Sequence, residues 1–218
     1  MEEVLVQEGS LREATLRRLR RRWPTQSGAL VIEELGTHFG ASRIDIAVVD
    51  LGLHGYELKS DLDNLSRLPK QIDAFNEVFD YTSIVLTQRH LAEAFLLVPD
   101  SWGILIAEPT PRSVALRSWR RPALNREVEP LHVAGLLWRD ELAEQLASMG
   151  ASERLSSATR LELMHRLIQE AQGAELREIV SSRLRGRRGW RGGPTPLPDG
   201  EISPNANTSS RFLDRRRR

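Results

Sequence analysis

The 218-residue chain has no cysteine, which excludes disulfide bonds and thiolate metal sites. It also has no apolar run long enough to span a bilayer, and its first residues, MEEVLVQEGSLREA, do not follow the pattern of a secretory signal. The chain is 40% hydrophobic and 28% charged, and at this length it can bury one good core and a small satellite core. We therefore expect a soluble cytoplasmic protein.

Lysine is nearly absent as well. Only two of the 31 basic residues are lysines, Lys59 and Lys70. Because arginine supplies the positive charge almost everywhere else, the compact ammonium of Lys59 indicates a site with special chemistry. Lys59 follows Glu57 by two residues, and Asp45 lies twelve residues before Glu57 inside the apolar run 44–49.

The spacing of these residues predicts that they meet. The run 44–49 is apolar and β-branched with one acid, as is typical of a buried strand. Residues 50–55 contain two glycines and an aspartate and predict a turn, so that 56–59 returns as an antiparallel strand. Alternate side chains of a strand share a face, so Glu57 and Lys59 project together and hairpin pairing brings Asp45 beside them.

Two carboxylates and an ammonium that converge in this way favour a cation site, because burial of unpaired charges is costly. Asp45 and Glu57 offer the oxygen ligands that Mg²⁺ prefers, with waters and a phosphate completing the octahedron. The metal would lower the pKa of a bound water, and Lys59 would orient that water or stabilise charge on the phosphate. The pattern thus predicts a metal-dependent phosphodiesterase site. An ordinary cross-strand charge pair on a solvated face is the alternative.

The same residues resemble the signature of the PD-(D/E)XK nuclease superfamily, an aspartate on one strand and Glu-x-Lys on the next. Asp45, Glu57 and Lys59 match it, and Ile44 stands where the signature often has proline. The stretch 31–108 also resembles a group of small bacterial nuclease-like proteins. The resemblance implies an α/β fold with a restriction-endonuclease-like αβββαβ core, a mixed sheet flanked by helices.

Two further positions gain a role only through this resemblance. Many members of the superfamily add a glutamate before the aspartate, for which Glu34 is preferred here and Glu33 is the alternative. Gln71, followed by Phe75 on the predicted helix 69–79, matches a Gln-x-x-x-aromatic element that some subgroups place beside the site. The alternative for Glu33 and Glu34 is that they lie in a solvated turn. The alternative for Gln71 is that it lies on a solvated helix face.

The function that the resemblance implies is a Mg²⁺-dependent DNA endonuclease, with Mn²⁺ as a substitute metal, in repair, restriction or mobile-element defence. The catalytic residues would be Asp45, Glu57, Lys59 and Gln71, and the metal ligands Asp45, Glu57 and Glu34. Cutting both strands would require two sites, in a homodimer or in two successive events. Two alternatives stay open: an inactive nuclease fold that binds DNA or serves as an assembly subunit, and an interaction protein in which the triad is structural.

Charge differs between the two parts of the chain. Residues 1–110 carry eleven basic and seventeen acidic side chains, whereas residues 111–218 carry twenty and thirteen. We assign 1–110 to the nuclease-like core with an N-terminal helix, which a capping box at Ser10 begins. Residues 111–190 are predicted to be a helical accessory region packed on the core, with a helix-turn-helix as the alternative. Residues 191–218 form a Pro/Gly-rich basic tail that we expect to be disordered.

A basic accessory region would offset the repulsion between an acidic site and DNA. The residues predicted to contact nucleic acid are Arg67, Lys70, Arg185, Arg187, Arg188 and Trp190. For the basic end of the chain, residues 215–218, a solvated tail is the alternative. The five histidines show no ligand spacing, which argues against a zinc site, and His38 and His54 are expected at the surface.

Overall fold

The computed structural model describes residues 5–187. It contains one six-stranded mixed sheet in the order β1-β2-β3-β4-β5-β6, with helices on both faces, so the predicted α/β class is confirmed. The strands are β1 Leu30–Thr37, β2 Ser42–Val49, β3 Leu53–Lys59, β4 Tyr81–Thr87, β5 Gly103–Pro109 and β6 Val114–Arg120. The helices are α1 Glu8–Arg22, α2 Leu68–Asn76, α3 Leu91–Leu97, α4 Pro130–Ala134, α5 Arg139–Ser148, α6 Arg160–Glu170 and α7 Ala174–Gly186.

The connections determine the direction of each strand. β1, β2 and β3 are joined by tight turns and pair antiparallel. β4 lies parallel to β3 and β5 parallel to β4, because α2 and α3 return the chain across the sheet between them. β6 turns back and pairs antiparallel with β5 at the edge.

Both faces of the central strands are covered, which explains the continuous apolar run in β2. Ile46 and Val48 pack on the side of α1, whereas Ala47 and Val49 pack on the side of the other helices. α1 begins at Glu8 with no side-chain cap, so the capping box predicted at Ser10 is wrong.

The sheet extends past residue 110, because β6 lies in the range that the sequence analysis assigned to the helical region. The helices that follow β6 join the same core as α2. Buried leucines such as Leu137, Leu146 and Leu163 belong to one cluster with Phe75 and Phe79. Within residues 5–187 no helix combines the length and apolarity needed to cross a membrane. The predicted tail 191–218 lies outside the described residues.

Candidate functional site

The β2–β3 hairpin and α2 bring together four of the residues singled out in the sequence. Lys59 Nζ donates hydrogen bonds to Glu57 Oε1 at 2.7 Å and to Gln71 Oε1 at 3.0 Å. Gln71 Nε2 donates to the same Glu57 oxygen at 2.6 Å. Asp45 Oδ2 accepts a bond of 2.7 Å from the backbone amide of Leu58. The cluster lies at the carboxyl end of β3, where α2 begins to cross the sheet.

Glu57 and Lys59 are deeply buried because every residue of β3 is covered. The exposed fractions of the two side chains are 3% and 4%. Glu57 Oε2 has no hydrogen-bond partner among the described residues. Burial, and then the charge of Asp45, raise the pKa of Glu57 to about 7, although Lys59 and Gln71 act in the opposite direction. This oxygen therefore needs a proton or a cation.

Arg12 of α1 covers the outer side of the cluster. Its Nη2 lies 2.8 Å from Glu34 Oε1 and 3.4 Å from Asp45 Oδ1, and its Nη1 lies 3.5 Å from Glu33 Oε2. Arg43 Nε holds the other Glu34 oxygen at 2.7 Å. Both carboxylate oxygens of Glu34 are thus engaged by arginines. Burial also raises the pKa of Asp45, with the Leu58 amide and Arg12 opposing it.

Glu34 occupies an unusual backbone position. The paired residues on either side place it opposite Asp45 in the β1–β2 ladder. Its φ of +58° lies in the left-handed region, which costs roughly 1–3 kcal/mol for such a residue. The two arginine contacts help to hold this conformation.

The predicted metal ligands are not closely grouped. Among residues 5–187, the group of three histidine and acidic residues whose ligand atoms lie within 4.8 Å of one another is His38, Glu77 and His132. Asp45, Glu57 and Glu34 do not form such a group. Mg²⁺ binding at those three residues stays a prediction.

The residues predicted to contact DNA differ in their surroundings. Arg67, Lys70 and Arg185 are exposed. Arg187 is buried, and its Nε and Nη2 each bond an oxygen of Glu141 at 2.6 Å. This guanidinium is engaged inside the protein, so we do not assign it to a DNA surface. Arg188 and Trp190 lie outside the described residues.

Sequence reasoning missed a cleft of about 910 Å³ at the other end of β3. Two aspartates and five arginines are among the residues that line it: Asp50, Asp80, Arg18, Arg22, Arg120, Arg121 and Arg177. The run of arginines in α1 was the only sequence feature that pointed to this cleft, since Arg18 and Arg22 belong to it. The contribution of β6 could not be anticipated, because that strand was not predicted.

The histidines also depart from expectation. His38 and His54 were predicted at the surface, but the exposed fractions of their side chains are only 17% and 11%. His54 Nε2 lies 3.0 Å from Asp50 Oδ1. His38 meets His132 through tertiary packing, although the sequence shows no ligand spacing.

Comparison with known proteins decides the family. The family model described as Bacteriophage P4 protein cII matches residues 1–190. The chain belongs to this family. Protein cII of Enterobacteria phage P4 is 24% identical to this cII-family chain over 161 residues, which are 74% of the chain and 60% of the phage protein. The chain therefore spans less than two thirds of that relative's length. No solved structure matches the present chain.

Membership of the cII family corrects the nuclease interpretation. The predicted membership of the PD-(D/E)XK superfamily is wrong, as are the predicted phosphodiesterase and DNA endonuclease activities and the roles in repair, restriction and defence. The alternative of an inactive nuclease-fold subunit is wrong for the same reason, because it also required membership of the nuclease superfamily. The structure offers a physical reason: Glu57 binds Lys59, Asp45 binds Arg12 and the Leu58 amide, and such internal contacts do not require catalysis.

Proposed function

We propose that this cII-family chain is a nucleic-acid-binding protein, rather than an enzyme, and that it contacts DNA phosphates through the arginine-lined cleft. The observation that carries the proposal is the charge of this cleft, which five arginines and two aspartates line. A concave surface with an excess of positive charge attracts a polyanion and increases its rate of association.

The arginines of the cleft have different roles. Arg177 Nε pairs with Asp80 at 2.6 Å, and Arg120 donates to the carbonyl groups of Trp102 and Pro99 at 2.7 Å. These two therefore help to build the walls. The residues best placed for phosphate are the exposed Arg22 and Arg121.

Arg22 and Arg121 are both exposed, one at the end of α1 and the other directly after β6. They therefore approach the cleft from two different elements. Arg22 lies 4.6 Å above the ring of Trp23, and Asp50 accepts a 2.7 Å bond from Trp23 Nε1. The tryptophan thus supports the guanidinium from a fixed position. We infer that Arg22 and Arg121 contact successive phosphates.

An exposed aromatic residue lies on the same edge strand. Trp119 of β6 is 51% exposed and stands between Ser118 and Arg120, which both line the cleft. Stacking of a nucleobase on such a ring contributes about 1–3 kcal/mol per base. Trp119 does not itself line the cleft, so an unpaired base stacked on it would lie beside the bound phosphates.

The test is fluorescence anisotropy with labelled duplex and single-stranded DNA over a series of salt concentrations. The double variant Arg22→Ala/Arg121→Ala should bind at least about tenfold more weakly and lose about two units of salt slope, since each phosphate contact contributes about 0.9. The matched control is Arg112→Ala/Arg126→Ala, which removes the same charge from exposed positions outside the cleft lining.

Equal losses in these two double variants would contradict the cleft assignment, and absence of salt-dependent binding by the wild type would contradict the function. A third variant, Arg67→Ala/Lys70→Ala, tests the surface predicted from the sequence. If only this variant loses affinity, DNA binds beside α2 instead.

We further propose that Asp45 and Glu57 bind Mg²⁺, with Mn²⁺ as a substitute. The supporting observation is the buried Glu57 Oε2, which has no partner among the described residues. A divalent cation would supply that partner and relieve the repulsion between the two carboxylates, with waters as further ligands. Glu34 is a poorer candidate than Asp45, because arginines hold its two oxygens at 2.8 and 2.7 Å, whereas Arg12 lies 3.4 Å from Asp45 Oδ1.

Thermal unfolding with and without Mg²⁺ tests this cation site. We expect Mg²⁺ to raise the Tm of the wild type and of Asp73→Asn, a control on the exposed face of α2, but not of Asp45→Asn. The same shift in all three proteins would show that Asp45 is not a ligand.

A further inference from the structure

Three metal-ligating side chains converge beside the end of α2, away from the cluster around Glu57. His38 Nε2 lies 2.6 Å from Glu77 Oε2, and His132 Nε2 lies 3.3 Å from the same oxygen. The two imidazole rings stack with their centroids 4.1 Å apart. We propose that His38, Glu77 and His132 form a Zn²⁺ site.

The donor set suits this metal. Two imidazole nitrogens and one carboxylate oxygen are ligands that zinc takes in tetrahedral sites, with water in the fourth position. Bonds of about 2.0–2.1 Å place neighbouring ligand atoms about 3.3 Å apart. The distance from His132 Nε2 to Glu77 Oε2 already has this value. His38 would have to withdraw by less than about 1 Å, which a side-chain adjustment provides.

The backbone fixes the three ligands from separate elements. His38 begins the short 3-10 turn His38–Gly40 after β1, with a left-handed φ of +50°, and Phe39 follows with a φ of +58°. Such strained conformations persist only where the surrounding structure holds them. Glu77 directly follows α2, and its carbonyl accepts a 3.0 Å bond from the amide of Glu129, the residue before the helix that carries His132.

The surroundings of the side chains agree with a bound ion. The histidine side chains are 17% and 22% exposed and that of Glu77 is 41% exposed, so an ion can enter while the rings remain held. His38 Nδ1 lies 3.3 Å from Thr37 Oγ1, so an outer hydrogen bond can orient the ring while Nε2 binds the ion. His132 Nδ1 is buried with no hydrogen-bond partner within residues 5–187, which leaves Nε2 as its bonding atom.

Zinc at this position would join the β1–β2 hairpin, the end of α2 and α4. It would therefore tie the sheet to the first helix of the C-terminal region. The site differs in kind from the Asp45 and Glu57 carboxylates, because imidazole selects zinc and other transition metals whereas an all-oxygen site selects Mg²⁺.

The experiment is a Co²⁺ titration of the untagged chain, followed by visible absorption and by competition with Zn²⁺. The wild type should bind one equivalent with a spectrum typical of a low-symmetry site that contains nitrogen ligands. His132→Ala and Glu77→Gln should each lose more than the roughly 10- to 100-fold in affinity that removal of an outer partner costs. The control His165→Ala removes an exposed histidine of α6 and should bind like the wild type.

Because a ligand variant can fail to fold, each variant is checked by far-UV circular dichroism and thermal unfolding without metal. A second measurement uses only the wild type: NMR of the histidine rings should show Zn²⁺-dependent shifts for His38 and His132 and none for His165. A wild type that binds neither ion overturns the proposal and leaves a simple hydrogen-bonded group. Binding that is unchanged in folded His132→Ala, or shifts confined to other histidines, overturns it as well.

Discussion

Lys59 and Glu57 form an ion pair inside the sheet, with Nζ 2.7 Å from Oε1 and both side chains almost fully covered. A buried pair of this kind contributes little net stability compared with apolar residues, because desolvation offsets much of the attraction. Loss of one partner is different, since it leaves the other charge buried and unpaired. The pair is therefore most informative when only one residue is changed.

Lys59→Met should lower the free energy of unfolding by about 3–5 kcal/mol, because it leaves the Glu57 carboxylate without its cation. The double variant Glu57→Gln/Lys59→Met should recover part of this loss. Lys70→Met is the matched control, since Lys70 is the chain's other lysine and is exposed on α2. Urea unfolding measures all three, and equal stability of the two single variants would show that the pair is unimportant.

The contribution of Glu57 to the free energy of unfolding should decrease as pH rises from about 4.5 to about 7. In the folded protein burial and Asp45 raise the pKa of Glu57 to about 7 from an ordinary 4.5. The folded state therefore binds this proton more tightly, so the contribution is complete below pH 4.5 and is lost as pH rises through 7. Unfolding of the wild type and Glu57→Gln in EDTA should diverge by up to about 3 kcal/mol across this window. A constant difference would contradict the shift.

Arg12→Met should destabilise the protein by about 1–3 kcal/mol, because the carboxylates of Glu34 and Asp45 lose their shared donor. Arg17→Met is the control on the same helix. Arg17 pairs with the exposed Glu13 and donates a 2.9 Å bond to the carbonyl of Val114, so its loss should cost about 1 kcal/mol. Chemical unfolding distinguishes the two, and a larger loss in the control would refute the role assigned to Arg12.

Gly103→Ala should destabilise by about 1–3 kcal/mol, since the added methyl group overpacks the start of β5. A Cβ atom there would lie 2.5 Å from Ser83 Oγ and 3.0 Å from the backbone nitrogen of Pro122. Gly36→Ala in β1 is the control, because a Cβ atom at that position meets nothing within 4 Å. The midpoints of urea unfolding should separate the two variants, and coincident midpoints would argue against tight packing at Gly103.

Local patterns predicted much of the secondary structure. The apolar run 44–49 and the glycines that follow it correspond to β2 and β3, and the predicted helical region 111–190 contains α4, α5, α6 and α7. These signals are local, because they depend on turn residues and on the alternation of side chains. β6 escaped prediction because most of this edge strand is exposed and carries little apolar pattern.

The motif Asp45, Glu57 and Lys59 illustrates a different limit. Strand alternation correctly placed Glu57 beside Lys59, but three residues at short spacing are compatible with an internal ion pair as well as with catalysis. Family membership depends on the whole of residues 1–190, and it excluded the activity that the short motif suggested.

The sequence by itself determined the β2–β3 hairpin and the shared face of Glu57 and Lys59, because these features arise from residues that are close together in the chain. Tertiary structure alone placed Arg12 over Asp45, gathered the arginines of the cleft, and brought His132 to His38. Those contacts join residues from different helices and strands, and only the packing of α1 and α4 on the sheet decides which distant side chains meet.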